Sequence, residues 1–256
     1  MNVRSWLKQN RAFDGAAILA DLLSVDQTWL VTHEDNEIAP EVLREADLAV
    51  LERKNGAPLA IVLNHRDFYG RSFSVKEGQI QALIPRPETE DIIDLVKELK
   101  PTTLADIGTG SGCIAITLKL ELPEAKVLAA DKYDYLALVN KNAKTLGAEI
   151  EFRNSDLLSE IEEKFDVIVA NLPYVDREWP WIDQKALSCE PDAALYADKQ
   201  GLELIEKLID QVVTKKACKY LILEADPCQH AAIKEYAAKN GLEFVKAQNF
   251  ILEFKY

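Results

Sequence analysis

Thr103-Leu104-Ala105-Asp106-Ile107-Gly108-Thr109-Gly110-Ser111-Gly112 is the stretch on which the reading of this chain turns. A short apolar run stops at three glycines on alternate positions, and Cys113-Ile114-Ala115-Ile116 follows. The pattern predicts a strand, a tight turn and a helix that runs to about Glu121. Glycine suits such a turn because the backbone must reverse sharply and leave room for a ligand. A ligand-free βα turn would use the same residues, so the turn alone does not assign a function. The dinucleotide fingerprint G-x-G-x-x-G would need glycine at 113, where Cys113 stands.

Downstream, strands are expected at Lys126–Ala130, Ile150–Phe152, Asp166–Ala170 and Tyr220–Glu224, and helices over Tyr133–Leu146, Leu202–Val213 and Ala231–Asn240. Repeated βα units predict a parallel, doubly wound sheet. The final run, Phe250–Tyr256, follows its neighbour too closely for a helical crossover and should pair antiparallel. Upstream, Pro85-Arg86-Pro87 is a stiff connection, and Glu88 opens a helix with Ile92, Ile93, Leu95 and Val96 on one face. Further back, Trp6, Leu7, Ile18, Leu19, Leu22 and Leu23 are spaced for apolar helix faces. Asp14 is placed to cap a second helix, and Pro40 fits the first turn of a third that runs to about Lys54. The aromatic and β-branched run Phe68–Val75, with Gly70 inside it, predicts a β-hairpin. The expectation is an α/β, Rossmann-like doubly wound sheet over residues 79–256, behind a small N-terminal helical domain with a hairpin, residues 1–78.

With a formal net charge of -13, the surface repels phosphate backbones, and no Lys/Arg cluster offsets this. Nucleic acid is therefore not an expected partner. The start, Met1 to Trp6, is not followed by the apolar core of a signal peptide, and no apolar run is long enough to span a bilayer. A cytoplasmic protein without membrane contact is expected. Cys113, Cys189, Cys218 and Cys228 are scattered, as reduced thiols are. Cys228 and His230 lack further ligands at zinc spacing, His33 and His65 join no cluster, and no metal is expected.

Two carboxylates and one tetrapeptide complete a candidate site. Asp131 ends the second strand, where a carboxylate can accept hydrogen bonds from ribose hydroxyls; by itself it would serve NAD equally. Asp156 follows the third strand, where by itself it caps a helix or sits in a solvated loop. Asn171-Leu172-Pro173-Tyr174 follows the fourth. An amide or exocyclic amino nitrogen is a poor nucleophile because its lone pair is delocalised. The Asn171 side-chain oxygen and the Leu172 carbonyl could accept its two N–H groups and aim the lone pair at a methyl carbon. Pro173 restricts Leu172 to extended conformations, and Tyr174 offers a flat face for a planar group. No strong base is needed, because alignment and electrostatic preorganisation carry such a transfer.

Three alternate glycines preceded by Asp106 resemble the cofactor loop of class I methyltransferases. The chain as a whole resembles the release factor glutamine methyltransferase family (HemK/PrmC type). The likeness runs through Phe68-Tyr69-Gly70, Leu83-Ile84-Pro85-Arg86-Pro87-Glu88-Thr89-Glu90, the 106–112 loop and Glu190-Pro191-Asp192-Ala193-Ala194-Leu195. That resemblance implies a class I methyltransferase fold and transfer from S-adenosylmethionine to N5 of the glutamine in the Gly-Gly-Gln loop of class-1 peptide chain release factors, recognised partly by the N-terminal domain. It implies that Asp106, Gly108, Thr109, Gly110, Ser111, Gly112, Asp131, Asp156, Leu157 and Asn171 surround the cofactor, and that Asn171, Leu172, Pro173 and Tyr174 hold the glutamine. A monomer is expected. Leu172 departs from the family's usual proline, Asn64 from a common glycine and Asp226 from another.

Two other readings share these residues. Adenine-N6 methyltransferases of rRNA or DNA present an NH2 to a similar tetrapeptide, but the rRNA enzymes place the glycine loop near their start, whereas here some hundred residues precede it. A non-catalytic S-adenosylmethionine-binding scaffold would not need Asn171, Pro173 and Tyr174 intact. Trp179 and Trp181 either frame the substrate entrance or pack on their own domain, and Glu88, Thr89 and Glu90 either close the site or start a helix.

Overall fold

The computed structural model describes residues 1–256, with the side chains of all but residues 185 and 186. Contacts divide it into two units: residues 1–65 with 183–189, and residues 66–182 with 190–256. In the first unit, α1 (Val3–Asn10) starts where the Asn2 side chain accepts the Ser5 amide at 3.0 Å. Asp14 precedes α2 (Gly15–Leu23) as expected but does not cap it. The residue is left-handed, with φ 55°, and its carboxylate pairs with Arg53 instead. An additional short helix, α3 (Gln27–Thr32), is capped by Asp26, and α4 (Pro40–Lys54) carries proline in its first turn. The last helix of this stretch, α5 (Leu59–Leu63), ends at Asn64 with φ 59°. That conformation accounts for Asn64: asparagine is the usual non-glycine residue in a left-handed helix end. Trp6, Ile18, Leu19 and Leu30 fill the core of this unit, and the Trp6 indole N–H reaches Asp47 at 2.8 Å.

Strands β1 (His65–Phe68) and β2 (Arg71–Ser74) form the expected hairpin, turning through Tyr69 and Gly70, both with positive φ. Its place differs from expectation. Phe68 and Phe73 meet edge-to-face at 6.1 Å and are buried with Ile92, Ile93 and Val96 of the second unit, so the division falls after His65 rather than after residue 78. A minimal second hairpin, β3 (Lys76–Glu77) and β4 (Ile80–Gln81), leads to a 3-10 turn at Pro87–Thr89 and then α6 (Glu90–Leu99), which begins two residues later than the sequence pattern indicates.

The remaining elements are β5 (Thr103–Ile107), α7 (Cys113–Glu121), β6 (Lys126–Asp131), α8 (Leu136–Leu146), β7 (Glu151–Asn154) and β8 (Phe165–Ala170). After them come α9 (Gln184–Leu187), α10 (Asp192–Leu195), α11 (Glu203–Lys215), β9 (Cys218–Glu224), α12 (His230–Lys239), β10 (Glu243–Gln248) and β11 (Ile251–Lys255). The sheet runs β10-β11-β9-β8-β5-β6-β7. Strands β5 to β9 are parallel, and β11 pairs antiparallel with both β9 and β10, as its short connection requires. Apolar side chains cover both faces of the central strands. Among the described residues, no helix is long and apolar enough to cross a membrane.

Register places the site. Ile107 pairs with Ala130 on one side and Ala170 on the other, and Ala170 pairs with Leu223. One residue further along each strand, Glu224, Asn171, Gly108 and Asp131 therefore form a single row at the carboxyl edge. Strand order reverses at β5, the position where open α/β sheets bind ligands.

Candidate active site

A cavity of about 250 Å³ opens over that row, lined by Gly108–Ser111, Asp131, Asp156, Leu157, Asn171, Leu172 and Pro173 together with residues 83–86, Thr89, Tyr133, Tyr135, Ala193, Ala194 and Tyr196. The glycine turn is pinned first by backbone: the Gly108 and Thr109 amides both donate to the Ala130 carbonyl, at 2.8 and 3.1 Å. Gly108 has φ 80°, and a Cβ there would come within 2.9 Å of Leu172 Cδ2. The positive φ is what requires glycine at this position. The same contact explains the leucine at 172. Its side chain is 4% exposed and packs on the bare face of the glycine, where burial supplies the order that a proline ring would otherwise give.

Asp106 and Gly112 do not line the cavity. Asp106 is fully buried and shapes the turn from beneath, accepting Thr109 Oγ1 at 2.6 Å and the Ala115 amide at 3.2 Å. Burial pushes its carboxyl up to about 7. Asp131 does face the cavity. One oxygen accepts the Gly110 amide and the other the Tyr133 amide, each at 3.0 Å, while burial raises its pKa against those donors. Asp156 stands at the rim with one oxygen bound to Lys207 Nζ at 2.7 Å. Its neighbour Leu157 lines the cavity in a left-handed conformation, φ 54°, which is strained for a branched side chain.

On the β8 side, Asn171 Nδ2 donates to Thr89 Oγ1 at 3.1 Å. Among the described residues Asn171 Oδ1 makes no hydrogen bond, so it is the acceptor left for a ligand. Tyr174 departs from expectation: it does not line the cavity. Its hydroxyl donates to Glu224 Oε1 at 3.1 Å, and burial beside that carboxylate raises its pKa. Its carbonyl accepts Gln229 Nε2 at 2.8 Å and is crowded by Gly201, φ 81°, where a Cβ would sit 1.9 Å from the oxygen. Gln229 is held in turn by Asp226, which caps the 3-10 turn before α12 and so gives the departure at 226 a local role.

The sequence motifs did not reveal how the walls are joined. Glu190, side chain 2% exposed, accepts the Ile84 amide at 2.9 Å and Arg86 Nη2 at 2.5 Å, linking the 83–89 wall to the wall formed by 190–196. Glu224 was also missed, although an acid closing the apolar run Leu221-Ile222-Leu223 is an available signal. Trp179 and Trp181 stack on each other at 5.3 Å, and neither lines the cavity. Among the described residues no disulfide joins the cysteines; Cys113 touches the cavity, and burial pushes its thiol up to about 12. Among the described residues there is no cluster of three His, Cys, Asp or Glu side chains able to hold a metal ion.

Comparison with known proteins fits this geometry. The family model described as the PrmC N-terminal domain matches residues 7–63, and that of the methyltransferase small domain matches residues 89–181. The release factor glutamine methyltransferase of Neisseria gonorrhoeae is 37% identical over 255 residues, 96% of this chain and 92% of that protein. Its namesake from Koribacter versatilis is 40% identical over 198 residues, 74% of this chain and 70% of its own. Among solved structures, the catalytic domain of hMettl16 in complex with MAT2A 3'UTR hairpin 6 superposes with a TM-score of 0.56 at 19% identity, covering 84% of this chain and 82% of that one. A methyltransferase from Pyrococcus furiosus gives 0.53 at 18% identity, covering 82% and 96%. These two structures speak for the fold, a methyltransferase sheet. The sequence relatives go further: with one-third identity or more sustained over most of both chains, this protein belongs to the release factor glutamine methyltransferase family.

Proposed function

We propose that this protein transfers a methyl group from S-adenosylmethionine to N5 of the glutamine in the Gly-Gly-Gln loop of a class-1 peptide chain release factor. It would act in the cytoplasm as a monomer, with no metal. The observation that carries this reading is the Asn171 carboxamide at the end of β8, its Nδ2 committed to Thr89. The names of the sequence relatives support the substrate.

The cavity fits the cofactor. Gly108–Ser111 line it with backbone, and Asp131 puts a nearly buried carboxylate at the next strand end. When bound, S-adenosylmethionine supplies an electrophilic methyl on a sulfonium sulfur. Gly108–Ser111, Asp131 and Leu157 would hold it, with Asp156 at the rim. Asp106 and Gly112 would act by shaping the loop. Asn171 Oδ1 and the Leu172 carbonyl would accept the two N–H groups of the substrate amide. That grip fixes the nitrogen and turns its lone pair toward the methyl, and it discriminates a primary amide from an ester or acid. Pro173 would stiffen the grip, and Tyr174 would support it from behind rather than stack on the substrate.

The test is incubation of the protein with labelled S-adenosylmethionine and a release factor, followed by peptide mass mapping. Label on the Gly-Gly-Gln glutamine is expected. Label on RNA, or on no glutamine, overturns the reading.

A further inference from the structure

Glu224 stands beside Asn171 in the row of strand ends and is 1% exposed, behind the cavity rather than in it. Its Oε1 takes the Tyr174 hydroxyl, while Oε2 has no hydrogen-bond partner among the described residues. A buried acid with an open oxygen is costly, and an apolar residue at this position would avoid the penalty. The Thr89 hydroxyl and the Asn171 amide adjoin this carboxyl. Thr89 Oγ1 already accepts from Asn171 Nδ2, so its own proton needs an acceptor, and Oε2 is the open one.

We propose that Glu224 is a positioning residue for methyl transfer, setting through Thr89 which way the Asn171 carboxamide faces. This rests on the reading of Asn171 as the amide acceptor. A carboxamide is nearly symmetric in shape, and a half-turn exchanges its oxygen for its NH2. With NH2 toward the substrate amide, two donors would face each other and the grip would fail. An ionised carboxylate can only accept. Thr89 must then donate to Glu224 and can only accept from Asn171, which sends Nδ2 toward Thr89 and leaves Oδ1 for the substrate. A protonated Glu224 could donate to Thr89, Thr89 could donate to Oδ1, and the reversed amide would become allowed. The groups that face Glu224 are Glu88 from the turn before α6, Tyr174 from the acceptor loop and Cys113 at the start of α7. Burial, aided by the charge of Glu88 and opposed by the hydroxyls of Thr89 and Tyr174 and by the Asn171 amide, brings the carboxyl to about 7.

The experiment compares wild type, Glu224→Gln, Thr89→Ser and Thr89→Val in full-length protein, with S-adenosylmethionine and a release factor, from about pH 5.5 to 9. Wild-type kcat should fall as pH drops through about 7. Glu224→Gln, whose amide can donate, should lower kcat about tenfold at pH 8 with both KM values within about twofold, and should flatten the profile below pH 7. Thr89→Ser should keep the wild-type profile. Thr89→Val should copy Glu224→Gln, and the double variant should be no worse than either single one. Wild-type kcat and profile in Glu224→Gln overturn the proposal, as does a loss confined to KM or a retained profile in Thr89→Val. Wild type that labels no glutamine overturns the underlying reading instead, and is visible without any variant.

Discussion

On the β5–β6 side of the cavity, carboxylates hold mostly backbone: Asp131 takes the amides of Gly110 and Tyr133, and Asp106 takes the Ala115 amide beside the Thr109 hydroxyl. On the β8–β9 side, side chains hold side chains: Asn171 reaches Thr89, and Tyr174 reaches Glu224. Backbone amides have one polarity and a position set by the fold. Hydroxyls, carboxamides and a buried acid can each be rearranged or reprotonated. The cofactor side is therefore expected to be robust, and the acceptor side to depend on small changes that leave the fold intact.

The sharpest way to separate the two sides is Asn171→Ala, expected to reduce turnover at least ~10²-fold with S-adenosylmethionine affinity largely kept, as for loss of a preorganised polar group. Single-turnover rates beside calorimetric titration would check it, and undiminished turnover removes Asn171 from the chemistry. Asp131→Ala is the mirror experiment. It should weaken cofactor binding about tenfold or more, the loss of roughly 1.5–3 kcal/mol for a charged hydrogen bond, with turnover recovering at saturation. Unchanged affinity would reject a cofactor role for Asp131. Gly201→Ala asks whether the acceptor side leans on the packing behind it. A Cβ overlapping the Tyr174 carbonyl at 1.9 Å should cost on the order of 2–4 kcal/mol of stability, seen as a lower denaturant midpoint. An unmoved midpoint would mean that α11 shifts freely.

The smallest effect concerns pH. Asp106 and Glu224 have folded values near 7, above those of the unfolded chain. As pH falls from about 7 toward the ordinary carboxylate range, the folded state takes up protons before the unfolded one does, so stability rises. Above about 7 both acids are charged in the folded state and the penalty is complete. Thermal melts from pH 8 to about 5 should show a gain that Asp106→Asn reduces. An undiminished gain in that variant would place the effect elsewhere.

The division between the two sides also explains what could be read from the amino acids alone. The βα alternation, the glycine turn, Asp131 and the 171–174 loop are local signals, each visible within a few residues. The antiparallel end of the sheet followed from connection length. Links such as Asn171 to Thr89, 82 residues apart, or Glu190 to Ile84, 106 apart, leave no local trace. The same holds for Tyr174: the motif names its ring, but its hydroxyl is held by Glu224 and its carbonyl is crowded by Gly201, both on other elements. Phe68 and Phe73 advertise burial without saying against what, so the amino acids alone do not show which core the hairpin joins.

The contact between Leu172 and Gly108 makes the two sides less separate than their bonding suggests. A side chain with no reactive atom rests on a residue with no side chain at all, and on the proposed assignment that pair would space the methyl donor's seat from the acceptor's. Trimming residue 172 would open a gap between the two loops, and a larger group would wedge them apart. On that assignment, the reach of the transfer would then depend on the bulk of a residue whose own part in the grip is only its backbone carbonyl.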